Sequence, residues 1–373
     1  MTGQIDIFCL LPDLPEPGEV TPYLQEMHSN RWFTNFGPLN ARFQEVMAGF
    51  FAASGSPGLT TQTFSSATSA LELTLRAMGL PAGGRVLMPA LTFPATALAV
   101  INAGLEPVFA DVDMASWELM AETAIAAHAY KPLAAVMPVA AFGKPVPTEG
   151  WQAFQRETGV PVLIDAAAAL GQQHVPHDLT AVFSLHATKP FGVGEGGLVV
   201  SCDADLLLRA KSLSNFGFLP GKGVVQQTGS NAKMGEYYAA VGLAQVKRWN
   251  SVLERRRKVF DAYLVRLEEF GSDIRLQAGV EDFIPAVFPI YVPGKGKEIN
   301  SAMTSASIQT RYWYLPLLHE HPALTGYGFA EAGGEANLKV CAELGTGLVG
   351  LPFHAYLTTA DIDKVCAVLA EVV

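Results

Sequence analysis

Short apolar runs alternate with helical patterns through the first two thirds of the chain. Residues 69–78 place Leu71, Leu75 and Met78 on one face of a predicted helix, and Gly79 follows where glycine commonly caps a helix. Runs of strand type lie around such helices, at residues 85–88, 107–112, 134–139, 162–165 and 181–185. This alternation predicts an α/β fold with helices flanking a mainly parallel central sheet.

A second, smaller domain is expected after the central sheet. The chain has 373 residues, whereas one domain commonly has about 100 to 200. Apolar residues keep helical spacing over residues 235–270, which predicts a long helix that links the domains. Residues 283–292 then resemble a strand, and a final helix starts at Thr359. We therefore expect a large domain, residues 1–250, and a smaller C-terminal α+β domain, residues 251–373.

Composition argues against several classes of protein. Charged residues make up 16% of the chain and the net charge is −10, which disfavours binding to nucleic acid or to anionic lipid. The four cysteines form no CxxC pair, so neither a disulfide framework nor a metal site is expected. No basic segment followed by an apolar run opens the chain, and the uncharged residues 86–105 are interrupted by Pro89 and Pro94. We expect a cytoplasmic protein with no membrane span.

A glycine-rich segment, residues 192–197, has the spacing GxGxxG of dinucleotide-binding proteins. That motif requires a helix directly after the glycines, because the helix N-terminus receives the pyrophosphate. Residues 198–201 instead read Leu-Val-Val-Ser, which predicts a strand, and residues 215–218 offer no acidic group for a ribose. We interpret the glycines as a tight turn between two strands.

Just before these glycines, Lys189 follows a predicted buried strand. A lysine in an apolar site tends toward the neutral amine that can attack an aldehyde. Pyridoxal 5'-phosphate (PLP) carries its aldehyde and its phosphate arm on adjacent ring carbons, so one short loop can supply both this lysine and the Ser184 hydroxyl for the phosphate. Taken alone, Lys189 also fits an exposed loop residue.

Three further positions match the rest of such a cofactor. Asp165 ends a strand and suits the ring nitrogen, although it can also cap a helix that starts at Ala166. Residues 65–69 place small side chains and hydroxyls where a helix begins, which suits a phosphate or a plain cap. Phe93 can cover one ring face or belong to the core. Together these residues favour a PLP enzyme.

These motifs resemble the DegT/DnrJ/EryC1/StrS family of PLP-dependent sugar aminotransferases, which have PLP fold type I. The resemblance extends over nearly the whole chain, in residues 32–38, 66–71, 89–96, 104–111, 165–167, 184–197, 229–234 and 351–353. It implies a Schiff base on Lys189, with Asp165 as the partner of the ring nitrogen and Phe93 stacked on the ring. It also implies a phosphate site formed by Ser184, Thr68 and the Ala67 amide.

The resemblance carries further expectations about partners and substrate. Asn231 is expected to reach the phosphate of a neighbouring subunit, in a homodimer with shared active sites. Glutamate is expected as the amino donor, and the acceptor as a TDP- or UDP-linked 4-keto-6-deoxyhexose used in polysaccharide or antibiotic sugar biosynthesis. Asn35, His186 and Tyr314 are candidate substrate contacts, although His186 also fits a packed strand residue.

Two departures from the family pattern stand out. Ala67 replaces a common glycine, which a right-handed helical backbone tolerates. Ala168 stands where relatives place Gln or His beside the ring hydroxyl, and the lost hydrogen bond is worth about 1 kcal/mol unless Gln172 or water replaces it. Ala168 leaves open a regulatory or ligand-binding member without turnover. Lys189 argues against the dehydratases of the family, which have histidine there.

Overall fold

The structure is a computed structural model that describes residues 5–218, 221, 223–331 and 334–373. Its strands are β1 (Thr60–Phe64), β2 (Arg85–Pro89), β3 (Glu106–Ala110), β4 (Ala135–Val136), β5 (Leu163–Asp165), β6 (Thr180–Ser184), β7 (Gly197–Ser201), β8 (Phe288–Tyr291), β9 (Gly328–Phe329) and β10 (Leu348–Leu351). Its helices are α1 (Pro17–Asn30), α2 (Pro38–Ala53), α3 (Ala67–Ala77), α4 (Pro94–Asn102), α5 (Ala121–Tyr130), α6 (Thr148–Thr158), α7 (Ala204–Ser214), α8 (Glu236–Leu267), α9 (Gly296–Ser305), α10 (Lys339–Gly345) and α11 (Thr359–Ala370).

The central sheet forms from two hydrogen-bonded groups, ordered β1-β7-β6-β5 and β4-β2-β3-β9. Parallel bridges from Val136 to Val162 and from Val139 to Asp165 join the two groups. Strand β7 runs antiparallel to both of its neighbours, whereas the other pairings between neighbours are parallel. The expected α/β fold with a mainly parallel sheet is confirmed.

Side chains of the central strands alternate between two cores. Leu87 and Val108 face a core formed with α1, α2 and α8, whereas Val86 and Phe109 face a core formed with α3, α4 and α7. Every residue of β2 and of β6 is buried. Burial on both faces requires apolar residues at successive positions, which explains the continuous apolar runs of the sequence.

The uncharged residues 86–105 form β2, a loop and α4, as predicted. Within the described parts of the chain, no helix combines the length and the apolar composition needed to cross a bilayer. Strand β7 directly follows the glycines of residues 192–197, which confirms the predicted strand and contradicts the dinucleotide-binding interpretation. A helix N-terminus is therefore missing where that motif needs one.

The predicted long helix is present as α8, which has 32 residues and is extended by a short 3-10 turn at Glu268–Phe270. The strand predicted over residues 283–292 is shorter and consists of β8 alone. The Gln172 side chain donates to the Ile284 carbonyl at 2.7 Å and accepts from the Ile284 N–H at 2.6 Å. The backbone of Ile284, before β8, is therefore hydrogen-bonded to the Gln172 side chain and not to a neighbouring strand.

A third core lies in the C-terminal part of the chain. Val259 and Phe260 of α8 pack there with residues of β8, β10, α9 and α11. Strand β9, however, pairs with β3 of the central sheet, and α10 packs against the core that contains Val86. The C-terminal third therefore contributes to two cores, and the division at residue 250 stays a prediction.

Candidate active site

A cavity of about 330 Å³ lies where the central strands β5 and β6 end. Parallel sheets place ligands at this edge, because the loops after their strands converge there. Most residues predicted for the site line this one cavity: Ala67, Thr68, Phe93, Asp165, Ala168, Ser184, His186, Lys189 and Tyr314. The structure thus brings together side chains that are far apart in sequence.

The loop that carries Lys189 is held by its own backbone. The Lys189 N–H donates to the His186 carbonyl at 2.9 Å, and the Ala187 N–H donates to the Gly194 carbonyl at 2.8 Å. A Cβ on Gly192 would lie 2.6 Å from the Ala187 carbonyl oxygen, so only glycine fits there. Burial lowers the pKa of Lys189, although Asp165 acts in the opposite direction. The site thus favours the neutral, nucleophilic amine.

Asp165 is the last residue of β5 and is only 4% exposed. Its Oδ2 accepts a hydrogen bond from the Thr96 hydroxyl at 2.8 Å, and its Oδ1 accepts one from the Ala167 N–H at 3.2 Å. Burial raises the pKa of Asp165, while these two donors and Lys189 counteract the rise. No helix starts at Ala166, so the interpretation of Asp165 as a helix cap is wrong.

The opposite end of the cavity is formed by the N-terminus of α3 and by Ser184. Ser66 caps α3, since its Oγ accepts from the Ser69 N–H at 3.1 Å. The first N–H groups of a helix have no acceptor within the helix, so they are suited to an anion. Ala67 is the first residue of α3 and has no positive φ, which agrees with the tolerance expected for this alanine. Gly197 packs behind it, because a Cβ there would lie 2.3 Å from the Ser66 carbonyl oxygen.

Phe93 is 54% exposed and faces the cavity, so it is not a core residue. Ala168 is buried and presents only a methyl group. The expectation that Gln172 compensates for Ala168 is wrong, because both ends of the Gln172 amide are bound to Ile284. The cavity therefore lacks a side-chain donor at residue 168.

His186 lies at the mouth of the cavity with its side chain 45% exposed, which rules out a packed strand histidine. Its Nδ1 accepts from the Thr188 N–H at 3.2 Å and lies 2.8 Å from the Thr188 hydroxyl. This arrangement places the ring proton on Nε2, which lies 3.6 Å from Glu195. His186 thus stabilises the turn before Lys189 and offers an N–H at the cavity mouth.

Two predicted site residues do not line the cavity of their own chain. Asn231 is exposed, and its Oδ1 accepts from the Lys233 ammonium at 2.7 Å. Asn35 is exposed with a positive φ of 60°. His319 packs between Phe109 and Phe329 and does not line the cavity either.

Sequence reasoning missed several residues that the structure places in or beside the site. Leu10, Val287 and Glu195 line the cavity, and the Thr96 hydroxyl donates a hydrogen bond to Asp165. Only the spacing of Thr92 and Thr96, four residues apart at the start of α4, could have indicated a shared role. Glu195 lies within the glycine-rich residues 192–197, which were interpreted only as a turn, whereas Leu10 and Val287 belong to segments without a recognisable motif.

A sequence model of the DegT/DnrJ/EryC1/StrS aminotransferase family matches residues 16–370. The chain belongs to this family. It is 27% identical to the dTDP-4-amino-4,6-dideoxy-D-glucose transaminase of Shigella dysenteriae, over 98% of this chain and 99% of that protein.

Solved structures of relatives have the same fold. DesI, solved in the presence of its TDP-sugar product, has a TM-score of 0.85 at 28% identity, over 99% of this chain and 93% of DesI. NtdA from Bacillus subtilis, solved with bound cofactor PMP, has a TM-score of 0.81 at 25% identity, over 98% of this chain and 85% of NtdA. The protein is a PLP-dependent aminotransferase of a sugar aminotransferase family, with PLP fold type I.

The cavity fits PLP chemically. The phosphate arm requires an anion site, the aldehyde an amine, and the ring nitrogen a carboxylate. The cavity offers the N-terminus of α3 with Ser184, the Lys189 amine, and the buried Asp165 carboxylate. The donors on Asp165 occupy both of its oxygens but leave further lone pairs, because each carboxylate oxygen accepts two hydrogen bonds.

Proposed function

We propose that this protein transfers an amino group from glutamate to a keto sugar nucleotide, with a TDP- or UDP-linked 4-keto-6-deoxyhexose as the acceptor. The observation that carries the proposal is the convergence of Lys189, Asp165 and the N-terminus of α3 on one cavity. The names of two relatives support the acceptor class: one is a transaminase of a dTDP-linked amino sugar, and DesI was solved with a TDP-sugar.

Each residue of the cavity has a proposed role. PLP, when bound, supplies an aldehyde that takes up the amino group and a ring that withdraws electrons. Lys189 would hold the cofactor through its amine, and its Nζ would move a proton at the substrate carbon as a general base. Ser184, Thr68 and the Ala67 N–H bind the phosphate arm, and Phe93 covers one face of the ring.

Asp165 keeps a proton on the ring nitrogen, which preserves electron withdrawal during both halves of the reaction. This role needs an ionised carboxylate, although burial of Asp165 favours its protonated form. Thr96 and the Ala167 N–H donate to the carboxylate and offset that effect. A positive ring N–H would add a further partner for Asp165.

We propose that the site is completed by a second copy of the chain. Several aromatic side chains lie exposed, including Trp32 at 48% and Tyr237 at 49%. Tyr238 packs on the loop of Lys189, because a Cβ on Gly194 would lie 2.8 Å from its ring. A homodimer would cover these aromatic groups, which monomers rarely expose together, and would bring Asn231 to the partner's phosphate site.

The proposed large and small domains, residues 1–250 and 251–373, would meet at the cavity. Lys189 and Asp165 lie on the large-domain side, whereas Val287 and Tyr314 come from the smaller one. Sites between domains bury a substrate on several faces and allow closure around it. This arrangement suits a bulky acceptor.

A second candidate is a family member that binds PLP without turnover, favoured by Ala168 alone. A matched donor test separates the two functions. Glutamate should convert the PLP-loaded, yellow protein to the pyridoxamine form, whereas no colour change with Lys189 intact would support binding only. Keto sugar nucleotides should then be screened for return of the colour. If none restores it, the proposed acceptor class is wrong while the transaminase assignment stands.

A further inference from the structure

The N-terminal arm, residues 5–13, lies along the C-terminal part of the chain and brings Leu10 to the cavity. Ile7 pairs with Ile308 in a parallel bridge, and its carbonyl accepts from the Gln309 N–H at 2.9 Å. Cys9 is buried, and its carbonyl accepts from the Phe353 N–H at 2.9 Å. The backbone of the arm is therefore fixed at Cys9, which directly precedes Leu10.

A buried ion cluster fixes the arm on the other side of Leu10. The Asp13 carboxylate lies 2.7 Å from Arg248 and 2.6 Å from Arg255, which both belong to α8. The Tyr356 hydroxyl lies 3.2 Å from the same carboxylate. Burial opposes ionisation of Asp13, but hydrogen bonds from the two arginines outweigh it and lower its pKa. Leu10 is thus held between two anchors.

Leu10, Val287 and Trp313 all line the cavity. The Nε1 edge of Trp313 faces Gly350, where a Cβ would lie 3.0 Å from Nε1, and this nitrogen is buried without a hydrogen-bond partner among the described residues. The indole N–H is therefore turned away from a ligand. Among the lining residues that come from the arm and from residues 286–314, Tyr314 alone carries a side-chain hydroxyl.

We propose that Leu10 is a specificity-determining residue that contacts the deoxygenated C6 of the acceptor sugar, together with Val287 and Trp313. The inference rests on the proposed function. An acceptor with a C6 hydroxyl would bury that group against the apolar side chains of Leu10, Val287 and Trp313, which offer it no hydrogen-bond partner, and this is unfavourable. Apolar walls reject an added hydroxyl by about 10- to 100-fold, so preference rather than absolute exclusion is expected.

Two nucleotide-linked 4-amino sugars that differ only in a C6 hydrogen or hydroxyl test this assignment, since transamination runs in both directions. The wild-type protein should convert the 6-deoxy sugar with a kcat/KM about tenfold higher or more. Leu10→Asn supplies a polar partner and should reduce that preference by about tenfold. Leu10→Met, which is apolar and of similar volume, should retain it.

The neighbouring Leu11 provides a matched control, because it is exposed and does not line the cavity. Leu11→Asn should leave both the preference and the glutamate half-reaction unchanged. A Leu10→Asn protein that loses the same factor for both sugars, or none, would overturn the role of Leu10 alone. If the wild-type protein converts neither sugar, the proposed acceptor class fails and the inference fails with it.

Discussion

The Thr96 hydroxyl donates a 2.8 Å hydrogen bond to the Asp165 carboxylate, and both residues are buried. The hydroxyl oxygens of Thr92 and Thr96 lie 3.0 Å apart, and Thr92 itself lines the cavity. Burial of Asp165 disfavours its charged form. This hydrogen bond, the one from the Ala167 N–H and the charge of Lys189 favour the charged form. Thr96 is therefore a positioning residue for the proposed partner of the ring nitrogen.

Replacing Thr96 with valine keeps the shape but removes the hydroxyl. Loss of a hydrogen bond to a charged group is worth about 1.5 kcal/mol, so kcat should fall about tenfold. The charged form of Asp165 loses a donor, so its pKa rises further and the acidic limb of the kcat profile moves to higher pH. Stopped-flow rates of the glutamate half-reaction across pH measure both effects. Thr96→Ser should restore the wild-type profile; an unshifted limb in Thr96→Val would argue against the role.

Mixing two defective variants tests the shared site. Lys189→Ala removes the amine, and Asn231→Asp places a carboxylate near the proposed partner phosphate, so each homodimer should be nearly inactive. Random association yields half heterodimers, each with one intact site, and about a quarter of wild-type activity. Co-expression with two affinity tags isolates the heterodimer for assay. Activity no higher than in the separate variants would contradict the sharing of Asn231.

Ala168→Gln supplies the side-chain donor that the cavity lacks at this position. We expect tighter retention of PLP, by about 1 kcal/mol or about fivefold in the dissociation constant. Ala168→Met adds similar volume without a donor and serves as the control. Equilibrium dialysis of the cofactor measures the difference. Equal retention in both variants would show that volume, not hydrogen bonding, governs this position.

The buried Glu118 carboxylate lies 2.6 Å from the Lys144 ammonium, and burial raises the pKa of Glu118 to about 7. Since this pKa lies above that of the unfolded chain, the contribution of Glu118 to stability is full below about pH 4.5 and declines as pH rises through 7. Lys144→Met removes the counterion. Its destabilisation should therefore be small at pH 5 and reach about 3 kcal/mol at pH 8.

Thermal unfolding of Lys144→Met and wild type at both pH values measures this dependence. Lys364→Met removes an exposed ammonium 3.0 Å from Asp6 and provides the control, with little change at either pH. A loss of stability in Lys144→Met that is equal at pH 5 and pH 8 would contradict the assignment. This ion pair lies close to the site in the chain, because Lys144 directly follows the turn that contains Phe142. The Phe142 ring stacks on the Tyr314 ring with 4.9 Å between the ring centroids.

Local patterns in the sequence predicted the parts of this protein that depend on nearby residues. The α/β alternation predicted the sheet because each buried strand needs a continuous apolar run. Asp165 was found because it ends such a strand and Lys189 because it follows one, and the carboxyl ends of parallel strands meet at one edge. The strand after Gly197 could likewise be distinguished from the helix of a dinucleotide site.

Tertiary structure alone decided which distant residues join them. Leu10 lies at the cavity because the arm is held by the bridge between Ile7 and Ile308 and by the ion cluster of Asp13. The Gln172 side chain binds Ile284 and therefore does not replace the donor that is absent at residue 168. Contacts of this kind leave no periodic trace in the sequence, because they depend on packing between segments far apart in the chain. The sequence was enough to predict the fold class and to select Lys189 and Asp165 as candidates, whereas the packing of the arm and the C-terminal segments decided which other residues line the cavity with them.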